Sequence, residues 1–132
     1  MLESARVLKP GGWFLLIDGS VEDHEPVAEQ WIHDVEKWRD PSHARFLTPD
    51  SWRSLCDAAK LTVVSSSLKP LKQPDLEWYF ETAATPPENR QHVRELITNA
   101  PEEARRLFRL AEENGTVVWW WRRLTIIAQK TN

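Results

Sequence analysis

Arg6-Val7-Leu8-Lys9-Pro10-Gly11-Gly12 runs straight into Trp13-Phe14-Leu15-Leu16-Ile17-Asp18-Gly19. A helix carrying Leu2, Ala5 and Leu8 must stop before Pro10, which lacks an N–H donor and disfavours helix at Lys9. Gly11 and Gly12 permit the positive-φ turn that follows. The next five residues are apolar without alternation, the pattern of a strand covered on both faces in a parallel α/β sheet. Asp18-Gly19 is expected to end that strand at its carboxyl edge, where open α/β sheets keep their ligands. The chain is therefore expected to open in the middle of a domain, on the last helix-to-strand step of something larger.

Working outward, Val27, Trp31, Ile32, Val35 and Trp38 recur at helical spacing and predict an amphipathic helix from Pro26 to Trp38. Arg39–Phe46 reads as a polar loop. Thr48-Pro49-Asp50 is a helix start, with Thr48 as N-cap and the acid near the positive end of the dipole. Trp52, Leu55, Cys56 and Ala59 form that helix's apolar stripe, and Leu61–Leu68 is the next strand. From Pro70 to Leu107 the pattern is helical in three pieces, separated by Pro74, Pro86-Pro87 and Pro101. Asn114-Gly115 reads either as a helix C-cap or as a hairpin turn between alternating residues, and the hairpin is favoured. Strand then resumes over 117–129.

The opening block resembles the segment after the core of class I S-adenosylmethionine-dependent methyltransferases, closest to the branch related to ubiquinone and menaquinone biosynthesis. Arg6 through Gly12 match that branch's helix-to-strand run residue for residue. The likeness continues through Arg39-Asp40-Pro41-Ser42-His43-Ala44-Arg45, Thr48-Pro49-Asp50-Ser51-Trp52 and Leu124-Thr125-Ile126-Ile127. It covers nearly the whole chain, residues 1–132, but only the C-terminal half of the family's domain. It implies an α/β fold: part of a Rossmann-like sheet with strands near 13–17, 61–68 and 117–129. The last strand should lie between the other two and run antiparallel to them. Residues 70–107 become a lid-like helical insertion on the substrate side. The family usually has glycine after the helix that ends near Ala59; Lys60 stands there, so a strained or reshaped turn is expected.

What the resemblance leaves out is the cofactor half. That family holds S-adenosylmethionine with a glycine-rich loop after the first strand and an acid ending the second, so that backbone N–H groups and a carboxylate meet the ligand. The chain has four glycines, none in a G-x-G pattern. S-adenosylmethionine is therefore expected for a full-length parent and not for these residues alone.

Composition sets the other bounds. The 132 residues carry a net charge of −3 with the signs interspersed, which implies neither nucleic acid nor a membrane surface. Cys56 is the sole cysteine, which excludes an internal disulfide and fits a reducing cytoplasm. No apolar run is long enough to span a bilayer. The eight tryptophans include Trp119-Trp120-Trp121, read as core packing against a ligand-stacking alternative.

The candidate site residues follow from chemistry. Asp18, at the strand's carboxyl end, could meet a substrate; otherwise it is a turn residue bonding the backbone of Ser20. His43 is the general-base candidate, with Asp40 near enough in sequence to orient it; the alternative is a capped Asp40–His43 turn. Arg39 and Arg45 bracket that loop and could bind an anionic group bidentately, or else pair with Glu36 and Asp50. His33 beside Asp34 reads as a solvated helix face, and no cluster has metal-ligand spacing.

Three functions compete. The chain is the substrate-side half of a methyltransferase acting on a small molecule, inactive alone; or a non-catalytic dimerising or ligand-binding remnant; or one half of a split enzyme. Strand 13–17, with one side unpaired, is the expected contact for a second copy or for the missing N-terminal half.

Overall fold

The computed structural model describes residues 1–131. Its elements in chain order are α1 (Leu2–Val7), β1 (Trp13–Ser20), α2 (Pro26–Arg39), α3 (Pro49–Ala58), β2 (Leu61–Gln73), α4 (Leu76–Thr82), α5 (Pro87–Thr98), α6 (Glu102–Leu107), β3 (Ala111–Glu113) and β4 (Thr116–Lys130). They fall into two units: residues 1–23, 47–69 and 122 onward, and residues 24–46 with 70–121.

In the first unit, Lys9-Pro10-Gly11-Gly12 forms the arrangement of a type II turn. Gly12 N–H donates to Lys9 O at 2.8 Å, and Gly11 takes φ +73° at the position that requires it. Gly12 is needed for a different reason: a Cβ there would lie 2.8 Å from Lys9 O. The turn is held to the end of β4 by Gly11 N–H to Lys130 O at 3.0 Å and Lys130 N–H to Gly12 O at 2.9 Å. The Lys130 ammonium donates to the Ala5 and Leu8 carbonyls at 2.8 and 2.7 Å, satisfying acceptors that the C-terminus of α1 leaves open.

The strand order is β1-β4-β2. β1 and β4 are antiparallel, in register from Trp13 opposite Gln129 to Ser20 opposite Arg122. Thr131 N–H donates to Lys60 O at 3.1 Å, so the end of β4 meets the start of β2 and these two also run in opposite senses. The reversed last strand thus lies between the other two, as the resemblance implies. Leu61, Leu124, Ile126 and Ala128 meet Ala5 of α1 and Cys56 of α3 in a buried cluster, with Phe14 and Leu16 packed against it. The opposite face of β1 carries Trp13, Leu15 and Ile17, about 60% exposed.

Two boundaries differ from expectation. β1 does not end at Asp18-Gly19 but continues through Ser20, because β4 offers Leu124, Arg123 and Arg122 as ladder partners. β2 runs to Gln73, so residues 70–73 are strand rather than helix. Proline can sit at Pro70 because β2 lies at an end of the strand order, where one side needs no ladder donor.

In the second unit, α2 packs against α5 and α6. Trp31 Nε1–H donates to Leu96 O at 2.9 Å, and the Glu103 carboxylate accepts from Ala28 N–H at the start of α2, also at 2.9 Å. Glu103 thereby fills one of the donors a helix N-terminus leaves open. The three helical pieces after β2 are present as α4, α5 and α6. The hairpin reading of Asn114-Gly115 holds: both residues take positive φ, 52° and 77°, as a two-residue type I′ turn demands, and β3 pairs with β4. Trp119 is fully buried, edge-on to Trp31 at 5.8 Å and to Tyr79 at 4.8 Å, so its role is core packing.

Candidate functional site

Pro26, Glu29, Gln30 and His33 recur at helical spacing on one stripe of α2. Together with Arg45 they line a recess of about 350 Å³. The segment after α2 doubles back to make its other wall, and polar groups hold that return. The Asp40 carboxylate accepts from Ser42 N–H at 2.9 Å and Ser42 Oγ–H at 2.6 Å. His43 N–H donates to Asp40 O at 2.8 Å, and the Lys37 ammonium donates to the Pro41 and His43 carbonyls at 3.3 and 3.0 Å. Arg45 then pairs with Glu29 across the recess.

Of the sequence candidates, Arg45 lines the recess, whereas His43, two residues earlier in the return, does not. The His43 ring packs edge-on to Phe46 at 4.7 Å and lies 6.4 Å from the ring of His33. His33 does more than the solvated-face reading allowed. It is half-buried and lines the recess, and its Nδ1 is shut from water without a hydrogen-bond partner among the described residues. Helical periodicity alone could group His33 with Glu29 and Gln30; it could not reveal that loop 40–46 folds back onto that stripe.

Asp40 anchors the turn. Its carboxyl is held below the usual carboxylate range, first by the Ser42 hydroxyl, then by the Ser42 N–H, with smaller contributions from His43 and Arg39. Arg39 points its donors elsewhere. It is buried, donating to Glu36 at 3.0 Å, to Tyr79 O at 2.8 Å and to Thr82 Oγ1 at 3.0 Å, with its guanidinium 3.8 Å from the Tyr79 ring centre. Asp18 belongs to the first unit, where its carboxylate accepts from Gly19 N–H at 2.8 Å. Among the described residues no group of three or more His, Cys, Asp or Glu side chains could hold a metal ion. None of the described helices is long and apolar enough to cross a membrane.

The recess is mixed in polarity and balanced in charge, with one carboxylate, one guanidinium, an amide and an imidazole beside Pro26 around a space of small-molecule size. Such a set can orient a polar ligand and accept a proton from it.

Known proteins share this architecture. YcgJ of Bacillus subtilis (strain 168), an uncharacterized methyltransferase, is 29% identical over 114 residues, covering 86% of this chain and 44% of its own. YafE of Escherichia coli (strain K12), an uncharacterized protein, is 39% identical over 61 residues, 46% of this chain and 29% of its own. The crystal structure of a candidate methyltransferase from Bacillus halodurans C-125, BH2331, matches 99% of this chain with a TM-score of 0.85 at 25% identity. The chain has part of a methyltransferase fold. The crystal structure of YcgJ agrees, with a TM-score of 0.82 and 25% identity over 99% of this chain. No protein-family model matches. The chain spans 61% and 56% of those two solved structures and less than half of the curated YcgJ sequence.

Methyltransferase relatives raise the question of S-adenosylmethionine, and the residues present do not fit it. A dinucleotide-type cradle needs glycines between the end of a strand and the start of a helix. Gly11 and Gly12 instead precede β1, Gly19 lies within β1 opposite Arg123, and Gly115 closes the β3–β4 hairpin.

Proposed function

We propose that these 132 residues are the C-terminal, substrate-side part of a methyltransferase that acts on a small molecule in the cytoplasm, and that they are inactive alone. One observation carries the reading: nearly all of the chain superposes on a methyltransferase structure, while covering only 61% of it. The position of every glycine supports assigning S-adenosylmethionine to the part of the fold beyond these residues. The single buried cysteine supports the compartment.

On this reading the α2 recess receives the methyl acceptor. Arg45 and Glu29 fix its polar groups, and the His33 imidazole, or that of His43 in the adjoining return, takes the proton of an O–H or N–H nucleophile. Helices α4 to α6 serve as the specificity element. Alignment of the acceptor contributes more to rate than the proton transfer itself.

The test joins the chain to the portion of YcgJ outside its match and measures methyl transfer from S-adenosylmethionine to a panel of small acceptors. Activity that falls at least tenfold in His33→Gln or His43→Gln supports the reading. Activity in the unjoined chain, or activity indifferent to both histidines, refutes it.

A further inference from the structure

The Glu29–Arg45 pair differs from ordinary surface pairs of this chain. Arg6–Glu3 and Arg53–Asp50 join residues three apart on one helix. Glu29 stands on α2 and Arg45 on the return sixteen residues later, and both line the same recess of about 350 Å³. A molecule that fills this space therefore meets both charges at once. The pair engages only Arg45 Nη2 and Glu29 Oε1, and a guanidinium fork and a carboxylate each have further bonding positions. Beside Glu29, Gln30 commits its Nε2 to Asp34 at 2.8 Å, which leaves the amide oxygen to accept from a ligand. The helix side of the recess thus offers acceptors, and the return offers cationic donors.

The two charges are not equally wet. The Arg45 side chain is 62% exposed and that of Glu29 26%. An anion entering alone would capture Arg45 and leave the sheltered Glu29 beside a second negative charge. A cation entering alone would capture Glu29, and the released guanidinium would turn to water at little cost. A neutral molecule replaces neither partner. A ligand carrying both signs replaces both.

We propose that this recess binds a small zwitterion with the head group of an α-amino acid. Its carboxylate takes the Arg45 fork, its ammonium takes Glu29 and the Gln30 amide oxygen, and the Glu29–Arg45 pair opens to admit it. The proposal rests on the reading of the recess as the acceptor site and adds the substrate class.

The probes are the common free amino acids, titrated one at a time into the ¹⁵N-labelled 132-residue chain. The signals read are the Gln30 side-chain amide and the Arg45 Nε–H. The tightest binder is then compared with its methyl ester, which keeps only the ammonium, and its N-acetyl derivative, which keeps only the carboxylate. The expected result is saturable one-to-one binding of a free amino acid, weakened at least tenfold by acetylation and less by esterification. Glu29→Gln should erase the acetylation penalty and Arg45→Gln the esterification penalty, with the rest of the amide spectrum unchanged. The comparison in the native chain stands without either variant. Amino acids that leave both signals unmoved in the millimolar range overturn the proposal, as does an N-acetyl derivative that binds as well as its parent. Methyl transfer by the joined enzyme to an acceptor lacking either charge removes the zwitterion class and leaves the methyltransferase reading standing. Amino-acid binding with these penalties, in a joined enzyme that transfers no methyl group, does the reverse.

Discussion

Arg39 and Arg45 stand six positions apart, and sequence gives no reason to separate them; burial does. Arg39 and Glu36 have side chains only 10% and 3% exposed, so removing one takes an opposite charge and its hydrogen bond away from the other in a dry place. Arg39→Ala is expected to cost about 3 kcal/mol or more in denaturant unfolding. Arg45, 62% exposed against Glu29, should cost under about 1 kcal/mol when replaced by alanine. Lys60 was legible as the wrong residue for its place, and it does take φ 57°. Lys60→Gly should therefore stabilise by about 1 kcal/mol, relieved left-handed strain outweighing the entropy glycine adds to the unfolded chain. Ala84 and Arg109 end α4 and α6 in the same conformation, at φ 50° and 49°, and no pattern in the sequence marked them. Asp40 titrates below its ordinary value because Ser42 stabilises the carboxylate. A depressed folded pKa contributes stability above the unfolded pKa, and that contribution is lost as pH falls through the folded value. The Ser42 amide resonance should move in that acid range, and Ser42→Ala should raise the Asp40 midpoint.

At the scale of elements, most of the fold was readable because its signals are local. The Lys9-Pro10-Gly11-Gly12 turn, the Thr48 cap, which accepts from Ser51 N–H at 3.2 Å, and the Asn114-Gly115 hairpin each rest on a few adjacent residues. What escaped depends on distant partners. β1 extends past Asp18 because β4 lies beside it, and β2 extends past Leu68 as the strand at the far end of the sheet order. The recess escaped for the same reason: the return of loop 40–46 is fixed by Lys37 and Asp40 contacts that no spacing encodes. Gly11→Ala tests the turn. Open space surrounds the added methyl, so the cost comes from the φ of +73° alone and should be about 1 kcal/mol, read as a lowered Tm.

For the whole molecule, the exposed face and free edge of β1 govern behaviour. Purified without a covering segment, the chain should self-associate, and multi-angle light scattering should show its mass rising with concentration. Leu15→Lys should shift it toward monomer without unfolding, since residue 15 is 61% exposed. A concentration-independent monomer would mean that this face is covered in some other way. The proposal that these residues carry the substrate-side part of a methyltransferase fold is tested most directly by calorimetric titration of S-adenosylmethionine into the purified 132-residue chain. No saturable heat is expected in the micromolar range, and saturable one-to-one binding to these residues alone would contradict the proposal.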